Sequence, residues 1–400
     1  MPLRTLKQVS TQRIGLVLGP LLFFLTLFLF RPEGLSPEGR AILASTLWIA
    51  IWWITEAIPI AATSLLPIVL FPLSGGLDLN STTAAFGHRL IFLYVGGFMI
   101  AIAIEKWNLH KRIALTIINA IGTSMSSIIF GFMAATAFLS MWISNTATSV
   151  MMLPIGMAIV SQLSSNNTIT SDESNRFGKA LMLAIAYSAS IGGVATLIGT
   201  PPNLVLASVV QKIYNIEITF AQWIMFGLPI SIVLLAICWF YLVRIAYPMH
   251  DAAFPGGRAE IRRQLQALGS ISFEEKTVLA VFALTAFAWI SRSFLLKKIL
   301  PAIDDTIIAI AGALILFLLP ARAKSGEKIL DWPSAVQLPW GIILLFGGGM
   351  ALAQGFQASG LAEWIGSQMT LLQGVALLLL LFALVAAVNF LTEITSNLAT

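Results

Sequence analysis

The sequence predicts an all-α integral membrane protein built as an inverted repeat, with two re-entrant helical hairpins and discontinuous helices. Three observations predict it. The 400 residues are 58% apolar and only 10% charged, with a mean hydropathy of +0.90, whereas water-soluble domains carry roughly 25% charged residues. Apolar runs of bilayer-crossing length recur from one end to the other. Within those runs, a polar motif and a glycine pair each occur twice at one shared offset.

The same composition excludes several classes. Cys238 is the only cysteine, which removes disulfide scaffolding and thiolate metal sites. His88, His110 and His250 lie between apolar segments, each beside a charge or a proline-rich stretch, and give no support to a catalytic reading. The formal charge of +5 comes from basic residues scattered one to three at a time between hydrophobic spans. Such scattering sets orientation in a membrane and does not indicate nucleic acid.

Taking about 17 to 25 apolar residues as one crossing, spans fall near 14–30, 41–55, 58–73, 90–104, 180–210, 223–246, 278–295, 305–320 and 340–356. The first follows Arg4, Lys7 and Arg13, as a signal peptide would. Its apolar run is long, however, and Arg31-Pro32-Glu33-Gly34 follows without a small-x-small cleavage site, so it reads as a retained helix. With the N-terminus cytoplasmic, 16 of the 23 Lys and Arg fall inside, Lys106, Lys111, Arg112, Arg176 and Lys179 among them. The other 7, including Arg89, Lys212, Arg292 and Lys297, fall outside. That bias supports a multi-pass protein of the cell membrane in this orientation.

The polar stretch 247–277 reads as a cytoplasmic linker, Pro255-Gly256-Gly257, followed by a short surface helix with Arg262, Arg263, Glu274 and Glu275. The chain then divides into N-terminal helices, mainly scaffold (1–89), a first repeat (90–246), the linker (247–277), scaffold helices (278–339) and an incomplete second repeat (340–400). The first repeat is expected to hold a scaffold helix, an inward hairpin over 113–162 and a discontinuous helix over 180–210.

The repeat rests on two motifs. Ser140-x-x-x-Ser144-Asn145 recurs as Thr392-x-x-x-Ser396-Asn397 at an offset of 252 residues, and the same offset carries Gly96-Gly97 onto Gly348-Gly349. On the orientation above, the first glycine span runs from outside to inside and the second from inside to outside, so the repeat is inverted. Inverted repeats are a signature of secondary transporters, with the substrate site at mid-membrane where the units meet. The stretch 113–162 is bracketed by Lys111-Arg112 and by Arg176 and Lys179, all cytoplasmic, so it must enter and return with Ser144-Asn145-Thr146 at its tip. By the same argument Ser396-Asn397 is the tip of a hairpin entering from outside. Such tips are either interhelical hydrogen-bond glue or ligand sites, and their pairing across an inverted repeat favours the second. Position 445, where the offset carries Gly193, lies past Thr400, so the chain is expected to stop within its second hairpin.

A third break is Gly192-Gly193-Val194-Ala195-Thr196-Leu197-Ile198-Gly199-Thr200-Pro201-Pro202-Asn203, where glycines and paired prolines unwind a helix and free its carbonyls. No Lys or Arg occurs between Arg112 and Arg176, between Lys179 and Lys212, or after Lys328. An anionic ligand would have to be met by N–H groups, Asn and Thr side chains, helix N-termini and bound cations. Hydroxyls, an amide oxygen and bare carbonyls are hard, uncharged oxygen ligands, which suit an alkali cation, and sodium above all. Proton coupling would need an ionisable group within the membrane. The candidates are Glu56, better read as a capping or hydrogen-bonding carboxylate at Thr55-Glu56-Ala57-Ile58-Pro59, and Glu393, whose counterpart in the first repeat is Met141.

Trp52-Trp53-Ile54-Thr55-Glu56-Ala57-Ile58-Pro59, the Ser144-Asn145-Thr146 tip, Gly199-Thr200-Pro201-Pro202-Asn203 and Thr392-Glu393-Ile394-Thr395-Ser396-Asn397 together resemble the divalent anion/sodium symporter family, the sodium-coupled dicarboxylate, citrate and sulfate carriers. The likeness covers about residues 41 to 400. It implies a homodimer in which a mobile transport domain moves substrate against a static scaffold in an elevator-like motion. It also implies one sodium site around Ser140, Ser144, Asn145 and the Gly193 carbonyl, and a second around Thr392, Thr395 and Asn397. Substrate carboxylates would meet Asn145, Thr146 and Asn397, with Ser144, Ser396 and Thr200 alongside. One departure is Leu398, where family members often carry Thr, which leaves substrate choice open.

The expected function is thus sodium-coupled symport of a small dianion, C4-dicarboxylates ahead of citrate and sulfate, with a sodium-independent dicarboxylate exchanger as the alternative. The expected partners are the dianion, Na+ as coupling ion, membrane lipid and a second copy of the chain, with no other cofactor and no nucleic acid. A membrane-embedded enzyme would need an activated nucleophile, and neither tip segment holds His, Asp or Cys. A channel-like or purely structural protein would show no saturable uptake.

Overall fold

A computed structural model describes residues 2–122, 124–164, 170–249, 257–323, 326–368 and 377–394. Among them the only β-type pairing is a single bridge between Pro320 and Lys328. Everything else regular is helical. The chain opens with α1 (Pro2–Leu29), α2 (Pro37–Thr55), α3 (Ile60–Thr63), α4 (Leu66–Ser74), α5 (Leu79–Ala85) and α6 (Arg89–Lys106). It continues through α7 (Leu109–Ile121), α8 (Met125–Ser140), α9 (Asn145–Ser164), α10 (Ser171–Val194), α11 (Pro201–Tyr214), α12 (Phe220–Phe240) and α13 (Gly257–Ala267). It ends with α14 (Phe273–Ser291), α15 (Lys297–Ile299), α16 (Asp305–Leu318), α17 (Trp332–Ala335), α18 (Trp340–Ala358), α19 (Leu361–Gln368) and α20 (Leu377–Ile394). A wide π turn extends α12 over Tyr241–Ala246, and another extends α14 over Arg292–Leu296.

Local chemistry explains where the long helices start. Thr170 and Glu173, Thr219 and Gln222, and Ser272 and Glu275 each form a reciprocal capping box at the head of α10, α12 and α14. Each pair satisfies backbone donors that the first turn leaves open. Seven helical stretches among the described residues are long and apolar enough to cross a membrane, Phe220–Ala246 being the most apolar of them. On that stretch Met225, Phe226, Ile232, Val233 and Ile237 are exposed, as expected of side chains whose solvent is lipid.

The described chain forms two compact units. Residues Met1–Ile91 and Pro339–Thr400 make one, and Phe92–Leu338 the other. In the first, α2 packs along α1, where the Trp52 indole donates to the Gly15 carbonyl at 3.0 Å. α18 lies against α2, α3, α4 and α5. In the second, α10 is the central helix, packed on α8, α9 and α12. Its core holds fully buried Phe132, Phe177, Ile128, Ile129 and Leu181. Arg112 on α7 is bound by Glu275 of α14 at 2.7 Å and by the carbonyls of Leu268 and Gly269. Buried His110 sits with Nδ1 3.1 Å from the Ile104 carbonyl, a core role rather than a ligand's.

The first glycine of each pair found in the sequence marks a close contact. A Cβ on Gly96 would meet the Ala309 backbone at 2.7 Å, and one on Gly348 would meet the Ser64 carbonyl at 2.5 Å. Either helix could approach so closely only through glycine.

Three expectations need correction. The stretch 58–73 is two short helices and not one span, because the chain turns at Ser64 and Leu65 and Pro67 opens the next helix. The hairpin is shorter than 113–162, since α7 ends at Ile121 and Ser124, accepting from Ser127 N, caps a new helix from Met125. Glu56 closes α2 with its backbone N–H, in the left-handed conformation, and not with its carboxylate.

Asp331, the cap of α17, is bound by Lys106 Nζ at 2.6 Å and by Ser334 N at 2.8 Å, and its pKa is lowered to about 2 by those bonds. A lowered carboxylate stabilises the fold above its ordinary pKa of 3.8, and that contribution fades as pH falls towards 2. Lys106→Met should therefore lower thermal stability in detergent at pH 6 to 7, with mutant and wild type converging as pH approaches 2. Side-chain exposure keeps the difference below about 1 kcal/mol. A gap that stays constant with pH would show that the pair contributes nothing.

Candidate cation site at the first hairpin tip

The tip is the four-residue turn 141–144 between α8 and α9. α8 ends as Met141 N returns to the Ala137 carbonyl at 3.1 Å, and α9 starts with Ser144 as its cap, its hydroxyl accepting from Ala147 N at 3.2 Å. Asn145 is therefore the first residue of a 20-residue helix, at an end where N–H groups lack intrahelical partners and the helix dipole is positive.

Ser140 and Asn145 meet across the turn, with Ser140 Oγ 2.7 Å from Asn145 Oδ1 and also 2.7 Å from the Ala189 carbonyl. A hydroxyl carries one proton and cannot donate to both. Turning the Asn145 amide so that Nδ2 donates to Ser140 Oγ, while Ser140 donates to Ala189, gives each of these contacts its own proton and leaves Oδ1 free. Around this pair the hydroxyls of Thr136, Thr148 and Ser188, all fully buried, have no hydrogen-bond partner. Thr136 stands one turn before Ser140 on α8, Thr148 nearly one turn after Asn145 on α9, and Ser188 next to Ala189.

The opposite wall is the break between α10 and α11, residues 195–200. Asn203, third residue of α11, directs Nδ2 at the carbonyls of Gly193 (3.0 Å), Val194 (3.4 Å) and Thr196 (2.7 Å). The Trp223 indole also donates to Val194, at 2.9 Å, and Ser231 donates to Ile191. The Thr196 hydroxyl donates to the Met141 carbonyl, which ties the break to the tip. Glycine is required at this junction. A Cβ on Gly192 would lie 2.2 Å from the Ala137 carbonyl oxygen, and one on Gly193 would lie 2.4 Å from Asn145 Oδ1.

The structure thus brings together Ser140, Asn145 and Gly193, with Ser144 beside them but its hydroxyl engaged as a cap. Thr146 is exposed, and Thr200 caps α11 without a side-chain bond. Thr395, Ser396 and Asn397, together with the side chains of Thr392 and Glu393, lie outside the described residues. Sequence reasoning missed Asn203 as the group that serves the freed carbonyls, and Trp142 in the tip. Asn203 was detectable, since an amide just after Pro201-Pro202 stands where a broken helix leaves acceptors open.

Asn203→Leu keeps the side-chain size and removes the donor, leaving up to three carbonyls in an apolar interior. A loss of about 2 to 3 kcal/mol is expected, read as a lower melting temperature in detergent. An unchanged melting temperature would mean that the break is held without this amide.

Comparison with known proteins agrees with this architecture. The profile of the sodium:sulfate symporter transmembrane region matches residues 10–400. The sodium-dependent dicarboxylate transporter SdcS of Staphylococcus saprophyticus is 50% identical over 394 residues, covering 97% of this chain and 76% of the relative. SdcS of Staphylococcus aureus RF122 is 50% identical over 395 residues with the same coverage, and that of strain USA300 is 49% identical. With nearly the whole chain matched, this multi-pass membrane protein belongs to the divalent anion/sodium symporter family, a family of carriers and not of enzymes.

Proposed function

We propose that the protein is a sodium-coupled symporter of small divalent anions, with C4-dicarboxylates as substrates, working as a homodimer in the cell membrane with its N-terminus in the cytoplasm. The observation that carries the reading is the 50% identity, over 97% of the chain, to carriers named as sodium-dependent dicarboxylate transporters. The first tip supports it chemically. Ser140, Ser144, Asn145 and the Gly193 carbonyl offer uncharged oxygens to one sodium ion, and the buried hydroxyls nearby add to a polar interior without adding charge. The Gly193 carbonyl has a second lone pair besides the one that accepts from Asn203.

Because no Lys or Arg lies between Arg112 and Arg176, a dianion at the tip is met by Asn145, Thr146 and the N-termini of α9 and α11, with Ser144 and Thr200 alongside. Those dipoles balance only part of two negative charges, so bound sodium completes the site, and each ligand raises the affinity for the other. By the repeat, Thr392, Thr395 and Asn397 hold a second sodium ion, and Asn397 and Ser396 serve the substrate. Transport then proceeds by an elevator-like movement of a transport domain against a static scaffold.

The test is uptake of labelled succinate by the intact protein in liposomes, with sodium or choline outside and with succinate, citrate or sulfate as competitor. Sodium-dependent uptake competed best by succinate is expected. Uptake indifferent to sodium would favour an exchanger, and stronger competition by sulfate or citrate would change the substrate. Asn145→Ala should weaken both sodium and substrate dependence by roughly 10- to 100-fold, the range of a hydrogen bond to a charged group. Asn145→Asp should be worse, as it sets a like charge against a dianion. Normal transport by both variants would reduce the tip to packing. Since no cationic side chain serves the site, uptake should follow the fully ionised fraction of the substrate and fall as pH drops below its second carboxyl pKa. A profile that moves in Glu393→Gln would instead bring a protein carboxylate into the coupling.

A further inference from the structure

Trp142 stands in the middle of the tip turn, two residues after Ser140 and three before Asn145. Within the turn Trp142 N and Ile143 N both return to the Leu139 carbonyl at 3.0 Å, beside the bond from Thr196 to the Met141 carbonyl. The indole ring of Trp142 adds contacts with three aromatic neighbours. It stacks on Trp289 of α14, with ring centres 6.5 Å apart and planes 8° from parallel, and on Phe220 of α12 at 6.0 Å and 26°. It meets Phe282 edge-on at 4.8 Å and 87°. Phe220 and Trp289 stack on each other at 4.6 Å, so the three rings form one block.

That block rests on a buried charge cluster. Asp305, at the head of α16, accepts from Phe220 N at 3.0 Å through its carboxylate and from the Trp289 indole at 2.9 Å through its carbonyl. The same carboxylate is 3.0 Å from Arg292, only 3% exposed, which also binds Glu217 at 2.7 Å. Asp305 thus anchors the Phe220 backbone through its carboxylate, which also pairs with Arg292, and the Trp289 ring through its carbonyl, so both elements beneath Trp142 are tied to one buried residue.

We infer that Trp142 is the positioning residue of the first tip: its ring, seated on Phe220 and Trp289, holds Ser140 and Asn145 in the arrangement that binds the cation. The inference rests on the proposed sodium coupling. Its physical content is a population effect. Without the ring the turn samples other directions, only a fraction of molecules present the oxygens together, and apparent affinity falls by that fraction. The indole N–H has no partner although it is buried, so the side chain acts through its ring face and not through a hydrogen bond.

The experiment is sodium titration of uptake by the intact protein in liposomes, alongside the sodium-induced rise in melting temperature in detergent. Trp142→Ala should raise half-saturating sodium about ten-fold, with uptake at saturating sodium within about two-fold of wild type. Trp142→Phe, which keeps a ring and removes only the unpaired N–H, should stay near wild type in both readouts. Phe220→Leu should raise half-saturating sodium by about three-fold. Should Trp142→Ala not fold, Phe220→Leu and Trp142→Phe still decide. The inference is overturned if these variants change maximal rate or yield while half-saturating sodium stays put, or if Trp142→Phe fails as badly as Trp142→Ala. Wild-type uptake that ignores sodium would overturn the proposed function and this inference together, whereas sodium-dependent wild type with unshifted variants would overturn the inference alone.

Discussion

A carbonyl freed from its helix inside an apolar protein has no water to turn to, and the fold around the first tip is organised by that requirement. Interrupting α10 after Val194 releases acceptors that would each cost several kcal/mol in hydrocarbon. Asn203, Trp223 and Ser231 answer for the carbonyls of Ile191, Gly193, Val194 and Thr196. Once those bonds are in place the backbone can come within contact of the tip, provided that positions 192 and 193 carry no side chain. The polar cluster is therefore a by-product of satisfying a broken helix, and its chemistry is dictated by the groups available for that purpose: amides, hydroxyls and carbonyls, none of them charged.

Much of this was legible in the chain. Paired glycines, paired prolines and the repeated Ser-Asn unit located the break and the tip, because unwinding a helix demands particular residue types at particular places. The capping boxes at Thr170, Thr219 and Ser272 are equally local signals. What could not be read was anything decided by long-range contact. Trp142 looks like one more apolar residue of a membrane protein until Phe220 and Trp289, 78 and 147 residues further along, are found beneath it. The split of 58–73 was missed for a related reason. A Pro within an apolar run is compatible both with a kinked span and with the first turn of a new helix, and only packing decides between them.

Charge counting shows a second limit. Arg292 enters the orientation argument as one of the basic residues facing the outside, as though it lay free in water or among headgroups. In the fold it is almost wholly buried and joined to Glu217, Asp304 and Asp305. Its charge is spent on holding the start of α12, the end of α14 and the head of α16 together. A topological rule sees only the number of cations near a span, so structural and orienting arginines count alike.

The close contacts at Gly96 and Gly348 also bear on how such a chain can change over generations. Each glycine is walled by the main chain of its neighbour, Ala309 in one unit and Ser64 in the other. A compensating side-chain substitution cannot make room, since there is hardly any side chain in the way to shrink. Any lineage that replaced either glycine would have to move a whole helix first, and no single step does that. The two positions are thus dead ends for gradual drift, closed to any side chain while the helices keep their present spacing.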